Sequence, residues 1–186
     1  MDTRGMIMTA ARAVAQAHGY NGLSFRELAK EVGVKSASIH YHFPTKGDLG
    51  AALARRYTED AKALFDSFLA DGADPRVCLR KYTDVFRIAL NNDNRMCLCG
   101  FMAAEYDDLP DPVKVEVQGF ADMNVAWLSE VLSRLDPKAD RSALAKRARA
   151  IFAAVGGAQV LARSRADISV YDEIIDSYRA AGLIPA

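Results

Sequence analysis

The chain has 186 residues, a length that suits one domain or two small ones with enough material for a buried core. Hydrophobic residues make up 51% of it, which excludes a disordered chain. Lys+Arg and Asp+Glu balance at 24 each, so the net charge alone does not indicate nucleic-acid binding. The first fifty residues carry six basic and four acidic side chains, which places a small positive excess near the N-terminus.

Neither a secretory signal nor a stretch apolar enough to cross a bilayer is visible in the sequence. The three cysteines are too few and too irregularly spaced for a disulfide scaffold. We therefore expect a cytoplasmic protein with reduced thiols and no membrane association.

The first half of the chain predicts four helices. Apolar residues at steps of three and four from Ile7 onward predict a first helix that ends at Gly19. Ser24 and Glu27 form a capping box, so a short second helix should begin at Phe25 and stop at Gly33. A third short helix is expected from Lys35 to Phe43, before Pro44. A second capping box, Thr45 with Asp48, predicts a long fourth helix through Leu69.

After a linker at 71–75 the periodicity stays helical, and no strand alternation appears. Breaks are expected at 91–94, at 107–112 and at Asp136-Pro137, and Ser169 with Asp172 is predicted to cap the last helix. The fold class predicted is all-α. We divide it into an N-terminal part, 1–48, and a C-terminal part, 49–186.

The stretch from Gly33 to Leu49 carries an unusual density of hydrogen-bonding side chains. Two short helices joined at a glycine cannot fold alone, and with the first helix above them they predict a helix-turn-helix. Ile39 and Phe43 are four residues apart and should face inward. The side chains expected to face outward, toward the major groove, are Lys35, Ser36, Ala37, Ser38, His40, Tyr41 and His42.

The segment "GLSFRELAKEVGVKSASIHYHFPTKGDL", Gly22 to Leu49, resembles the TetR family of transcriptional regulators. The matching order is a hydroxyl cap, L-A-x-x-x-G-V and then I-x-x-H-F-P-T-K-x-x-L, and His40 stands where the family more often has tyrosine. The resemblance implies base contacts by Arg26, Ser36, Ala37 and Tyr41. It implies phosphate contacts by Ser38, His40, His42 and Lys46. Tyr41 could instead belong to the core, and metal binding by His40 and His42 is disfavoured because residues two apart on a helix diverge by roughly 200°.

In the family, the C-terminal helices enclose a small-molecule inducer. Asn124 is the most informative residue here, since it occupies a position where its helical neighbours predict an apolar side chain. A buried amide needs hydrogen-bond partners, which a ligand, a neighbouring helix or a water could supply equally well. The predicted ligand-binding residues are Phe86, Met96, Phe101, Met102, Met123, Asn124 and Trp127, although aromatic and Met stripes are more often plain core.

Two cysteines, Cys97 and Cys99, stand at an expected helix start, where a thiol pKa is lowered. Some TetR relatives sense electrophiles or oxidants through cysteines, so two interpretations stay open. Either these residues are sensing thiols, or they pack as small hydrophobic side chains.

The last two helices are expected to form a homodimer. Gly156 and Gly157 lie within an apolar helical stretch, where each glycine costs about 1 kcal/mol relative to Ala unless helices approach closely. Two such helix pairs would form a four-helix bundle across a twofold axis, and the dimer would read a palindromic operator. The predicted interface residues are Ile151, Phe152, Val155, Gly156, Ile174, Ile175 and Tyr178.

The function predicted is a homodimeric repressor that a small molecule releases from DNA, that uses no metal or cofactor, and that is not an enzyme. The alternative is a small all-helical enzyme or ligand carrier. No H-E-x-x-H, G-x-G-x-x-G, P-loop or C-x-x-C motif appears, so this alternative lacks a sequence signature.

Overall fold

The computed structural model describes residues 2–69 and 72–186 of the chain. Within these two ranges all regular structure is helical, and none of the helices is long and apolar enough to cross a membrane. The α helices are α1 (Thr3–His18), α2 (Phe25–Val32), α3 (Ser36–His42), α4 (Lys46–Phe68), α5 (Pro75–Asn91), α6 (Leu98–Ala104), α7 (Asp111–Leu135), α8 (Arg141–Arg165) and α9 (Ile168–Ala180). A 3₁₀ turn at Tyr106–Asp108 follows α6.

The all-α prediction is confirmed, and the helix ends show why it succeeded. Gly19 follows α1 with a φ of 72°, and Gly33 follows α2 in the left-handed region, where glycine carries no Cβ penalty. Thr45 and Asp48 cap α4 reciprocally: the Thr45 amide donates to Asp48 Oδ2 at 2.9 Å, and the Asp48 amide donates to Thr45 Oγ1 at 3.1 Å.

The start of α9 corrects one sequence prediction. Asp167, rather than Ser169, is the N-cap, and its carboxylate accepts the Ser169 amide at 2.9 Å. Asp172 pairs instead with Arg87 at 2.7 Å. The predicted linker at 71–75 lies partly outside the described residues.

The chain forms two compact units. The N-terminal unit comprises the residues up to Thr58 together with Cys97–Phe120, and the C-terminal unit comprises Glu59–Met96 with Ala121–Ala186. The packing units are therefore not divided at residue 48, because α6 and the first part of α7 belong to the same unit as α1, α2 and α3. The predicted functional division into 1–48 and 49–186 stays a prediction.

The core of the N-terminal unit holds the three short helices together. Ile7 and Ala11 of α1, Leu28 of α2 and Ile39 of α3 have exposed fractions of 1% or less, and Phe43 directly after α3 is 2% exposed. Helices of seven or eight residues are not stable alone in water, so this shared burial is what keeps α2 and α3 folded.

The carboxylate of Glu105, directly after α6, is hydrogen-bonded to the turn between α1 and α2. Its two oxygens accept the backbone N–H of Tyr20 at 2.5 Å and of Asn21 at 3.1 Å. A Cβ at Gly19 would lie 2.4 Å from this carboxylate, so only glycine lets it approach so closely. The helix-turn-helix is thus attached to a segment more than eighty residues further along the chain.

The C-terminal unit is held together by buried polar contacts to α5. Gln159 of α8 donates to the Phe86 carbonyl at 2.8 Å, and the Tyr171 hydroxyl of α9 donates to the Thr83 carbonyl at 2.7 Å. All four side chains are at most 5% exposed. Because buried donors are costly to leave unpaired, these contacts fix how α8 and α9 pack on α5.

Replacing Glu105 by alanine should lower the free energy of unfolding by about 1.5–3 kcal/mol, because it removes a charged acceptor from two backbone N–H groups. Urea unfolding followed by circular dichroism measures this. Asp107→Ala is the matched control: Asp107 is an exposed acid two residues away, and its loss should change stability by about 0.5 kcal/mol or less. Equal losses in both variants would contradict the role given to Glu105.

Candidate functional site

The surface of α3 has the orientation that the sequence predicts. Ile39 and Phe43 face the core, and Tyr41 between them is 84% exposed, so the interpretation of Tyr41 as a core residue is wrong. Lys35, Ser36, Ala37 and His40 are exposed, as is Arg26 on α2, whereas Ser38, His42 and Lys46 are half-buried. We call the exposed side of α3 the α3 face: Lys35, Ser36, Ala37, His40 and Tyr41.

The histidines of α3 are held by aromatic neighbours. The His40 ring packs edge-on against Phe25 with centroids 4.8 Å apart, and its Nδ1 lies 3.4 Å from the Pro44 carbonyl. The His42 ring meets Tyr41 in the same manner at 5.2 Å. Across the described residues no group of His, Cys, Asp or Glu is arranged to hold a metal ion.

Three basic residues on the helices next to α3 are engaged by local partners. Glu27 accepts from Lys30 at 3.1 Å and from Arg26 at 3.0 Å, and these hydrogen bonds lower the pKa of Glu27. The Arg26 side chain is 81% exposed, and surface pairs of this kind are weak, so the contact with Glu27 does not hold Arg26 firmly. Lys46 donates to the Asn21 carbonyl at 3.3 Å, and burial lowers the pKa of Lys46.

Sequence reasoning missed Arg4, which adds a positive charge beside α3. Its guanidinium lies 5.1 Å from the Phe43 ring centroid, and the residue is exposed. No sequence signal marked it, since Arg4 precedes the motif and reaches Phe43 only through the packing of α1.

A group of aromatic side chains occupies the C-terminal unit around Trp127. Tyr82 is stacked on Trp127 with an interplanar angle of 17° and centroids 5.5 Å apart, and Phe65 lies 5.2 Å from Trp127. The Tyr82 hydroxyl donates to Asn124 Oδ1 at 2.9 Å, and both residues are 0% exposed. We call this set the aromatic cluster: Phe65, Phe68, Tyr82, Phe86 and Trp127, with Asn124.

The structure brings only some of the predicted ligand-binding residues together. Phe86, Asn124 and Trp127 belong to the aromatic cluster, whereas Phe101 and Met102 belong to the N-terminal unit. Met96 and Met123 are half-buried residues of the C-terminal unit. Tyr82 and Phe65 were not among the predicted ligand-binding residues, although Tyr82 lies four residues before Phe86 and so shares its helix face. A cavity of ≈ 370 Å³ lies elsewhere in this unit, beside Leu132, Leu144 and Arg147.

The two candidate thiols are buried in the N-terminal unit, with exposed fractions of 4% for Cys97 and 1% for Cys99. Burial raises the pKa of both, even though hydrogen bonds from Gly100 and Tyr57 favour the Cys97 thiolate. The lowered thiol pKa expected from a helix start is therefore wrong, since desolvation outweighs the helix dipole here. Thiol sensing itself stays a prediction.

The predicted dimer residues divide into two groups. Ile151, Val155 and Ile175 are at most 3% exposed within a single chain, so they pack in its own core and cannot meet a partner directly. Phe152, Gly156, Ile174 and Tyr178 are half-buried. Val160 and Leu161 on α8, which were not predicted, expose 51% and 50% of their surface. Helix α8 thus carries apolar residues on its core side and also on its outer side. The spacing of apolar residues in the sequence does not show which of the two sides faces a partner.

We expect the folded chain to react slowly with an aromatic disulfide reagent at pH 7, because its cysteines are buried and the pKa values of Cys97 and Cys99 are raised. The rate should rise roughly tenfold per pH unit below those pKa values, as the thiolate fraction grows. Thiolate release followed at 412 nm gives the rates, with urea-unfolded chain as control. Rapid labelling of Cys97 in the folded chain at pH 7 would instead support a sensing thiol.

Comparison with known proteins agrees with this geometry. Residues 7–53 match the family model "Bacterial regulatory proteins, tetR family". A TetR transcriptional regulator from Legionella pneumophila is 30% identical with a TM-score of 0.88, and the match covers 94% of each chain. A TetR-family regulator from Agrobacterium tumefaciens is 29% identical with a TM-score of 0.86, over 92% of this chain and 93% of that one.

At 20% identity, the reduced form of NemR from E. coli shares the fold, with a TM-score of 0.81 over 96% of each chain. No curated protein sequence matches the chain significantly. With a helix-turn-helix whose outer face is open, the matching family model and a 30% identical regulator aligned over nearly its whole length, the chain belongs to the TetR family of transcriptional regulators.

Proposed function

We propose that the protein is a repressor that binds a palindromic operator as a homodimer and is released by a small-molecule inducer. The observation that carries the proposal is the α3 face, where Tyr41 is 84% exposed while Ile39 and Phe43 on either side are buried. The packing of the residues on either side turns Tyr41 to water, so its ring and its hydroxyl are both available to a partner. No specific observation favours the alternative of a helical enzyme or ligand carrier.

The α3 face suits the major groove in shape and in chemistry. Ala37 lets the helix backbone lie close to the bases, and Ser36 and Tyr41 supply hydroxyls that can donate to base edges. Arg26, Lys35 and Arg4 are exposed cations near α3: Arg26 is proposed to meet a base edge, and Lys35 and Arg4 to meet phosphates. His40 and His42 can donate from ring nitrogens to the same phosphates.

For the homodimer, the proposed contact is the outer side of α8. A Cβ built at Gly156 or at Gly157 meets no atom within 4 Å among the described residues, so packing within the chain does not account for these two glycines. The exposed Val160 and Leu161 continue the same helix one turn further on. A second copy of α8 crossing at the glycines would cover both and explain why the helix tolerates them.

An inducer acts only if it binds the state with low DNA affinity better than the other state. The aromatic cluster is the place proposed for it, since Asn124 sits there as a fully buried amide paired with Tyr82. The cluster includes Phe65 and Phe68 of α4, the helix that begins directly after the α3 face. A ligand that moved these two rings would move α4 with them.

Replacing Tyr41 by alanine should lower affinity for operator DNA about 5- to 150-fold, which corresponds to the ~1–3 kcal/mol of a specific base contact. Electrophoretic shifts of a duplex from the promoter beside its own gene, at two salt concentrations, measure it, and binding should weaken as salt rises. Tyr106→Ala removes another exposed tyrosine of the same unit and should leave affinity unchanged. If Tyr41→Ala bound as tightly as the original chain, α3 would not be the reading helix.

The substitution Leu161→Asp should weaken the dimer, because it places a charge in the proposed contact between two copies of α8. Sedimentation equilibrium of Leu161→Asp should show a dissociation constant raised at least roughly tenfold, with loss of operator binding. Leu64→Asp changes a leucine on α4 that is 43% exposed and should leave the dimer intact. Dissociation by Leu64→Asp alone would place the interface elsewhere.

A further inference from the structure

The indole N–H of Trp127 is an unpaired donor in the interior of the C-terminal unit. Trp127 is 5% exposed, and its Nε1 has no hydrogen-bond partner among the described residues. Buried indole N–H groups usually find an acceptor, and leaving one unpaired costs free energy. A donor that has no partner among the described residues at the proposed inducer site is available to an acceptor on a bound ligand.

The geometry points to an aromatic inducer whose buried end carries a neutral hydrogen-bond acceptor, which receives the Trp127 N–H. This inference rests on the proposed function, because it names the chemical class of ligand for the same site. It goes beyond that function in assigning the recognition to one donor atom and one kind of acceptor.

The rings around Trp127 favour an aromatic ligand over an aliphatic one. Phe65, Phe68 and Tyr82 all have centroids within 6.5 Å of the Trp127 centroid, and Phe65 also lies 5.1 Å from Tyr82. A ligand must separate some of these pairs to enter. A flat ring restores stacked and edge-to-face contacts of the kind that it displaces, whereas an aliphatic chain does not.

The polar groups of the cluster favour a neutral acceptor. An indole nitrogen can only donate, so a ligand donor would gain nothing from Trp127. Asn124 Oδ1 already accepts from the Tyr82 hydroxyl at 2.9 Å, and no side chain of the cluster carries a formal charge. An ionised group buried there would lose its hydration without gaining an opposite charge.

The rim of the cluster differs from its interior. Phe68, at the end of α4, is half-buried, and the Lys81 ammonium lies 5.4 Å from the centre of its ring. Phe68 is thus the cluster ring nearest to water, and it is the ring that a ligand would displace first. The acceptor end then enters toward Trp127 while the opposite end remains near Lys81.

Quinoline and naphthalene test the inference on the full-length chain. They have the same fused-ring shape, but only quinoline carries a ring nitrogen that accepts a hydrogen bond, and it is neutral at pH 8. Calorimetry with the protein titrated into each compound should show quinoline binding roughly tenfold more tightly, as one restored buried hydrogen bond predicts. Because Trp127 is the only tryptophan, quenching of its emission reports binding at the cluster.

The variant Trp127→Phe keeps an aromatic ring and deletes the N–H. Its quinoline affinity should fall roughly tenfold, to that for naphthalene, while naphthalene changes by less than about twofold. Tyr106→Phe changes an exposed tyrosine of the N-terminal unit, outside the aromatic cluster, and should retain the preference for quinoline. Thermal unfolding of both variants checks that they fold, and the comparison of the two compounds on the unchanged chain does not depend on either variant.

Three results would overturn the inference: equal affinities for the two compounds, a quinoline preference that survives in Trp127→Phe, or no binding of either compound. A shift assay on the same preparation separates this from the proposed function. If operator DNA is bound and neither compound binds, the ligand class is wrong and the regulator proposal stands. If quinoline is preferred and no operator DNA is bound, the ligand chemistry stands and the proposed function fails.

Discussion

The burial of Ile39 and Phe43 is the constraint on which the rest depends. Helix α3 has seven residues and cannot persist in water by itself, so it exists because these two side chains are inserted between α1 and α2. Fixing two residues four apart fixes the rotation of the helix, and Tyr41 must then face outward. The surface that we propose meets DNA is therefore exposed as a consequence of core packing rather than of the polar residues themselves.

That small core is completed from far along the chain. Glu105 accepts two backbone N–H groups of the α1–α2 turn, and Asp108 accepts the Asn21 side chain at 2.7 Å. The helix-turn-helix thus shares its stability with the segment that contains Cys97 and Cys99. A displacement of α6 would also destabilise the α1–α2 turn, because Glu105 would move away and leave the Tyr20 and Asn21 amides unpaired.

Local sequence features predicted most of the fold, because caps and glycine turns act over three or four residues. The Thr45–Asp48 box and the stop at Gly33 needed no tertiary information. Glu105 could not be found in this way, since its partners lie more than eighty residues away. Asn124 was marked as a polar residue in an apolar stripe, but its partner Tyr82 comes from another helix. The spacing of residues in the sequence does not predict that Cys97 is buried. It also does not predict which side of α8 faces the core.

The central claim is that two copies of α3, related by a twofold axis, read one duplex. Selection of bound sequences from a pool of random duplexes tests it without assuming an operator. The account predicts enrichment of inverted repeats whose half-sites are centred about one helical turn apart, or a multiple of it, bound by an even number of chains. Enrichment of single, unrepeated sites, or no enrichment above the starting pool, would contradict it.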